Sequence, residues 1–572
     1  VSARSAAWAL CGFTLLSGLL FGHGVLPHLG STLVGSGPNP AYAGRDQGAF
    51  TWFLAWGGYV LQHPRDPFTT HLVYAPGGYN LAWAASIPGP SLLLAPLTTL
   101  IGAIPVFNVV AILAPAFAAW TAYLFCAELT GEWAPAVLGG LLFGFGSYES
   151  AETVNHLNLA LVALLPLLPL LAVRRWRGTI SARTYVLGAG TVAGAQLWTS
   201  TEVFASAVVF GALALVLALT LASHTDRPRA LRLLGDSLGA LAPALVLGLP
   251  LLLSALGPNP VATHSTFNAG ADLANFVTPT HVTWFRQGPL LGSDRSLVGS
   301  LTEHVAYLGP LLILALVWFA LAHRRLRLAR GVFIFGAIAA LLSLGGRLII
   351  DGHDTGIPLP WALIGQIAPL SYALPGRFAL YLWLAAAASI ALMLRGRPLG
   401  SLRWVCAIAA CVSVLPNPGF AWSTRVDRPA LLDRTRLATY VKPGSTVLAL
   451  PFGREGDSML WQVESRFSFA LAGGYVSWAL PDEYRGLTII RELDGRPPGG
   501  RLRQRLCEFL RMTRTQTILL REHTRGDWQA TLSTLGVAPT RAGGFEIWRV
   551  AETSCGRRGG EPSPRASRKR LS

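Results

Sequence analysis

The stretch TYVLGAGTVAGAQLWTSTEVFASAVVFGALALVLALTLAS, residues 184–223, contains a single charged residue, Glu202. As one helix rising 1.5 Å per residue it would be about 60 Å long, twice the roughly 30 Å hydrocarbon core of a bilayer. It is therefore two spans, and the turn between them falls close to TSTEVF, residues 199–204.

Outward from this pair, apolar runs recur from residue 6 to about residue 418. They cover 6–25, 106–126, 133–147, 157–173, 184–200, 203–222, 237–256, 305–322, 331–346, 378–394 and 402–418. The fold class that follows is a polytopic α-helical membrane protein of about eleven spans. The 572-residue chain is 52% hydrophobic and only 13% charged, with mean hydropathy +0.45. Residues 6–25 resemble a signal peptide in length, but they have no clear small-residue cleavage site and many spans follow, so they read as the first span. SLLLAPLTTLIGAI, residues 91–104, is short and flanked by Pro88, Pro90 and Pro105. It reads as an interfacial or re-entrant helix.

The basic residues behind the net charge of +17 are almost all arginine, and those of the membrane half gather in short connections. With the N-terminus cytoplasmic, the inner loops hold Arg174, Arg175, Arg177 and Arg183; Arg227, Arg229 and Arg232; Arg324, Arg325, Arg327 and Arg330; and Arg395, Arg397 and Arg403. The longer outer loops hold Arg45, Arg65, Arg286, Arg295, Arg347 and Arg377. This bias orients the chain and accounts for the charge without nucleic acid. An odd span count puts everything after about residue 419 outside.

There the composition changes. STVLAL (445–450), TQTILL (515–520) and GGFEIWRV (543–550) read as strands, and RLRQRLCEFLRM (501–512) reads as an amphipathic helix. The expected organisation is a transmembrane domain over 1–418 with a large first outer loop at 26–105, a small extracytoplasmic α/β domain over 419–550, and a basic, disordered tail over 551–572. Cys11, Cys126, Cys406 and Cys411 lie in or beside spans and read as small core residues. Cys507 and Cys555 can pair if both face an oxidising compartment. In GDSMLWQVESRFSFALAGGYVSW, residues 456–478, the aromatics Trp461, Phe467, Tyr475 and Trp478 are either a sugar-stacking face or the domain core.

The polar residues of the membrane half gather on the outer side: Arg45 and Asp46 in the first loop; Glu149, Glu152, Asn155 and His156 in GSYESAETVNHLN (146–158); Glu202 in the turn; and Asp272, His281, Arg286, Glu303 and His304 in the loop 257–304. A carboxylate costs about 2.5–3.5 kcal/mol at a span centre, so such groups face a wet cavity or a partner. Each has an ordinary alternative. Asp46 suits a helix cap before Gln47, Glu149 and Glu152 suit a solvated loop rim, and His156 suits a structural role. Arg377 suits an interfacial anchor.

The order of these pieces resembles the GT-C superfamily of lipid-phosphate-sugar glycosyltransferases, and further the uncharacterised actinobacterial membrane glycosyltransferase-like proteins. The strings that carry the resemblance are GRDQGAFTWFLAW, DPFTTHLVYAPGGYNL, GGLLFGFGSYESAETVNHLNLALV, TSTEVF, DLANFVTP, TGIPLP, LPGRF and MLWQVESRFSFALAGGY, spread over residues 1 to about 550. The resemblance implies a sugar donor carried on a polyprenyl phosphate and used at the outer face of a bacterial plasma membrane. The acceptor is an envelope glycan, lipid or protein. It further implies that the early acidic residue of the first outer loop, here Asp46, is the general base. Several GT-C members carry a paired acidic motif in this loop, whereas Asp46 has Arg45 and Gln47 beside it, which leaves both the base and a divalent metal open.

On that reading Glu149, Glu152 and Glu202 join Asp46 at the catalytic centre, while Arg45, His156, Arg286, Arg347 and Arg377 are the candidates for the donor phosphate. No HExxH, CxxC, Walker loop or dinucleotide fingerprint is present. Two other readings stand beside it: a transporter or flippase for a lipid-linked saccharide, and a non-catalytic partner in an envelope assembly complex. A transporter should carry midplane charges and often internal repeats, and neither is seen in the sequence.

Overall fold

The computed structural model describes residues 2–35, 46–258, 270–285, 297–367, 370, 373–420, 422–477, 479–497, 499–524, 526–553 and 555. These divide into two compact units. The first takes the described residues of 1–63, 85–256 and 262–426, the second those of 64–84, 257–261 and 427–572. The division differs from the linear one read from the sequence, because part of the first outer loop goes with the C-terminal unit.

The first unit opens with α1 (Ala3–Leu20), β1 (Thr32–Val34) and α2 (Asp46–Gln62). The strands β2 (Thr69–Thr70) and β3 (Tyr79–Asn80) that follow belong to the second unit. The chain returns through α3 (Pro88–Leu93) and α4 (Ala95–Ile101), both too short to cross a bilayer. Then come α5 (Ala103–Thr130), α6 (Trp133–Phe145), α7 (Ser147–Asn155), α8 (Leu157–Ala160) and α9 (Leu167–Arg177). The expected span 157–173 is thus broken: the helix stops after Ala160 and resumes only beyond Pro166, which has no N–H to continue the ladder.

The fold-deciding stretch is split as its length demands. Helix α10 (Ala182–Thr199) and helix α11 (Thr201–Leu221) are separated by Ser200, whose backbone is extended and whose Oγ accepts the Val203 N–H at 3.3 Å. The unit continues with α12 (Arg227–Ala255), α13 (Gly309–Ala322), α14 (Arg327–Ser343), the hairpin β4 (Arg347–Ile350) and β5 (His353–Pro358), α15 (Trp361–Ile364), α16 (Ala379–Leu394), α17 (Leu402–Ser413) and β6 (Ser423–Arg425), which pairs with β1.

Among the described residues, five helical segments are long and apolar enough to cross a membrane: Ala3–Leu20, Ala103–Thr130, Thr201–Leu221, Arg227–Ala255 and Pro375–Leu394. Their burial follows their place. Every residue of α16 except Leu392 is buried, so it is the central helix. Leu241, Leu245, Val246, Leu249 and Leu253 of α12 point outward, as side chains facing lipid should. Helices α5 and α6 approach closely because α6 carries Gly140 and Gly144 four apart. A Cβ on Gly140 would lie 2.6 Å from the Ala119 carbonyl, and one on Gly144 would strike the Pro115 carbonyl and Ala119. Of the four free cysteines, Cys126 and Cys411 are buried, but Cys11 is exposed and Cys406 half-buried, so only two are core residues.

The second unit adds α18 (Arg434–Tyr440), β7 (Thr446–Leu450), α19 (Ser458–Glu464), β8 (Ala470–Leu471), α20 (Ile489–Leu493), α21 (Leu502–Met512), β9 (Thr515–Arg521), α22 (Trp528–Ser533), β10 (Thr540–Ala542) and β11 (Phe545–Arg549). Its sheet has the order β10-β11-β9-β7-β8, with β7 parallel to β8 and β9, and β11 antiparallel to β9. Strands β7 and β9 are buried along nearly their whole length, which explains their apolar runs. Trp461 is 1% exposed and meets Phe545 edge-on, so it belongs to the core rather than to a sugar platform. Trp478 lies outside the described residues. Cys507 and Cys555 are joined in a disulfide.

Residues 72–75 lie along the end of this sheet. The Leu471 N–H donates to the Leu72 carbonyl, and the Ala75 N–H donates to that of Leu471, both at 2.9 Å. The Tyr74 hydroxyl donates to Gly474 O at 2.8 Å and the Tyr79 hydroxyl to Ala479 O at 3.0 Å. Gln462, fully buried, donates from Nε2 to both Leu72 O and Phe469 O at 2.8 Å. Two of the resemblance strings, DPFTTHLVYAPGGYNL and MLWQVESRFSFALAGGY, therefore pack on each other.

Candidate functional site

Asp46 is the first residue of α2, where a carboxylate suits the positive helix end. Its neighbour fixes that end: Gln47 donates from Nε2 to Val154 O of α7 at 2.6 Å. The contact brings the start of α2 to the end of α7, and with it Asp46 to His156. His156 Nε2 lies 3.3 Å from Asp46 Oδ2, and Nδ1 lies 2.7 Å from Glu152 Oε2 one turn back on α7.

The stretch 146–158 is not a solvated rim. All nine residues of α7 are buried, with Glu149 and Glu152 at 0% exposure. Neither Glu149 oxygen, nor Glu152 Oε1, has a hydrogen-bond partner among the described residues. Ser147 anchors the other end of the helix by donating to Val305 O and Tyr307 O at 3.0 and 2.9 Å.

A second cluster forms where α11 begins and the 310 turn Pro375–Phe378 leads into α16. Arg377 Nη1 donates to Glu202 Oε2 at 2.7 Å, and Nη2 donates to Glu303 Oε1 at 2.9 Å. The Tyr381 hydroxyl lies 2.8 Å from Ser206 Oγ, and its ring stacks on Phe210 at 4.0 Å, holding the two helix starts together. Both α11 and α16 begin at this cluster and run toward arginine-rich connections at their far ends.

The groups outside the spans are strongly shifted. Burial, reinforced by Glu152, pushes Glu149 well above the usual carboxylate range. Burial also raises Glu152, against the opposing pull of His156. For His156, burial favours the neutral ring, but Glu152 and Asp46 outweigh it and lift the pKa to about 10. Burial would raise Glu303, yet Arg377 outweighs it and holds the carboxyl low. The two clusters feel each other, since Arg377 acts on Glu152 and His156 on Glu303.

The structure thus joins Asp46, Glu152 and His156, with Glu149 one turn along, and pairs Glu202 with Arg377. His156 has both ring nitrogens facing carboxylates, which leaves neither for a phosphate. Arg377 is already compensated by two acids. Arg347 is half exposed on the β4–β5 hairpin, pairing with Asp354 at 3.2 Å. Arg45 and Arg286 lie outside the described residues. Among the described residues no group of three His, Cys, Asp or Glu side chains is disposed to hold a metal ion. Glu303 and Gln47 are the members that the sequence reading gave no role; each sits in irregular or capping backbone where no periodicity marks it.

No family model matches the sequence, and no curated protein matches it. Solved structures do. The arabinofuranosyltransferase AftD from Mycobacteria matches at 14% identity and a TM-score of 0.57, over 96% of this chain and 40% of that one. ArnT from Cupriavidus metallidurans, bound to undecaprenyl phosphate, matches at 13% identity and a TM-score of 0.52, over 96% of this chain and 98% of that one. At such identity the likeness is one of fold. The chain shares the helical fold of these two structures.

Proposed function

We propose that this protein is a membrane glycosyltransferase that moves a sugar from a polyprenyl-phosphate donor to an acceptor hydroxyl of an envelope glycan, lipid or protein, at the outer face of a bacterial plasma membrane. The observation that carries the proposal is the placement of Asp46 at the start of α2, against His156 and Glu152, within a fold shared with ArnT bound to undecaprenyl phosphate. The Cys507–Cys555 disulfide supports an oxidising compartment for the second unit. The arginine-rich connections support the opposite side as cytoplasmic.

Asp46 accepts the proton of the acceptor hydroxyl as its oxygen attacks the anomeric carbon. The bond from that carbon to the phosphate oxygen breaks, and the lipid phosphate leaves with the electron pair. One displacement inverts the anomeric centre without an enzyme nucleophile. The test is transfer of radiolabelled sugar from a panel of polyprenyl-phosphate sugars, comparing the parent protein with Asp46→Asn. Product that disappears with the substitution supports the reading; equal product from both removes Asp46 as base.

A further inference from the structure

The second unit holds a cavity of about 390 Å³, within the size range of small-molecule sites. None of its lining residues belongs to the cluster around Asp46 or to the one around Arg377. It lies at the carboxyl end of β9, with the start of β11 beside it, since Leu520 pairs with Glu546 and Arg521 with Phe545. Strand β9 runs parallel to β7, and open α/β sheets bind ligands beyond the carboxyl ends of their parallel strands. The arginines of its wall are already compensated. Arg521 donates to the two Asp427 oxygens at 2.7 and 3.2 Å, and Arg541 donates from Nε and Nη2 to Glu546 Oε1 at 3.0 and 2.8 Å. An anion would have to displace a carboxylate from its arginine, and it would meet the Glu522 carboxylate as well. The side chains of Glu522, His523 and Gln529 have no hydrogen-bond partner among the described residues, and all three line the cavity. They offer an acceptor, an imidazole and a carboxamide that both donates and accepts, while Leu520 and Trp528 supply apolar surface. Such a lining suits a neutral ligand with many hydroxyls: each hydroxyl can donate to Glu522 and accept from Gln529.

We propose that this cavity is a binding site for a neutral saccharide unit, either a free sugar or a residue of a glycan chain, held by Glu522 and Gln529 with His523 at the rim. The site binds without reacting, so it stands or falls apart from Asp46 and from the transfer reaction. Glu522 is half-buried and both His523 and Gln529 are exposed, which leaves the hydroxyl-binding groups open to a ligand arriving from water.

The experiment measures binding to the full-length protein in phospholipid nanodiscs, free of sugar-headed detergents, by saturation-transfer NMR and calorimetry. The probes are neutral pentoses and hexoses as free sugars, their methyl glycosides and disaccharides, with inorganic phosphate and glucuronate as anions. The expected result is that a neutral saccharide binds, that Glu522→Gln and Gln529→Ala each weaken it by about tenfold with the parent's melting temperature retained, and that Asp46→Asn binds as the parent does. Tighter binding of disaccharides than of methyl glycosides upholds the site with a glycan chain as its source, and equal binding upholds it with a free sugar. Four results would overturn it: no neutral saccharide binds, affinity is unchanged in either second-unit variant, phosphate or glucuronate binds more tightly than every neutral sugar, or Asp46→Asn abolishes binding and so places the sugar in the first unit. Loss of transfer activity, or its absence from the start, bears on Asp46 and leaves this binding readout intact.

Discussion

Replacing Arg377 by glutamine removes the cation that bridges Glu202 and Glu303. Its guanidinium donates to each at 2.7 and 2.9 Å, and the side chains are 14%, 30% and 29% exposed for Arg377, Glu202 and Glu303. Removing one partner of a buried ion pair costs about 3–5 kcal/mol, because a charge is left in a poor solvent. Here the two acids retain some contact with water, so the loss falls at or below the lower end, about 2–3 kcal/mol. The main cost is the pair of stranded carboxylates rather than the lost bonds. Neutralising them as well, in the triple variant Arg377→Gln, Glu202→Gln, Glu303→Gln, should therefore recover most of the deficit. Arg377→Lys should fall between, since an ammonium is a point charge and lacks the fork that spans two acids. Thermal unfolding of the purified protein in one detergent reads all four: the single glutamine variant melts several degrees lower, and the triple variant melts close to the parent. A triple variant that melts with or below the single one would refute the charge argument.

Four further outcomes follow from the geometry. Gly144→Val should lower Tm and yield of folded protein by about 1–3 kcal/mol in equivalent stability, since its Cβ meets the α5 backbone; unfolding in detergent checks this. Gln462→Leu removes the buried bonds to the Leu72 and Phe469 carbonyls, at about 1–3 kcal/mol, and should expose residues 64–84 to limited proteolysis. Cys507→Ser opens a link across 48 residues and should cost the second unit about 2–4 kcal/mol, seen as a lower melting transition that reductant reproduces in the parent. His156 has a folded pKa raised to about 10 from an ordinary 6.5, so its stabilisation is complete below pH 6.5 and is lost as pH rises through 10. The Tm difference between the parent and His156→Gln should shrink over that upper range.

Much of the membrane half was legible because hydropathy and length act locally. The turn at Ser200 follows from 40 mostly apolar residues meeting a bilayer of fixed thickness, and the gathering of polar groups at the ends of apolar runs follows from the cost of burying charge. The strands β7, β9 and β11 announced themselves as apolar runs. What remained hidden depends on partners far along the chain. The loop 64–84 reads as polar and proline-bounded, yet its backbone is satisfied by residues 471–474. Glu149 and Glu152 read equally as a solvated rim or as members of a site, and only packing on every side of α7 buries them. His156 could be placed near Asp46 but not between two acids, since that depends on Gln47 reaching Val154.

The Tyr74 hydroxyl and its acceptor at Gly474 are separated by 400 residues. At ordinary ribosomal speeds that interval corresponds to roughly 20–80 seconds of synthesis. Throughout it, the loop between α2 and α3 has left the ribosome while its partners have not yet been made. A nascent chain arrested anywhere before residue 470 leaves the backbone of residues 72–75 and the Tyr74 hydroxyl without these partners. Folding of the loop around residue 74 thus waits on residues 471–474, and truncations that remove them should leave that loop exposed to quality control.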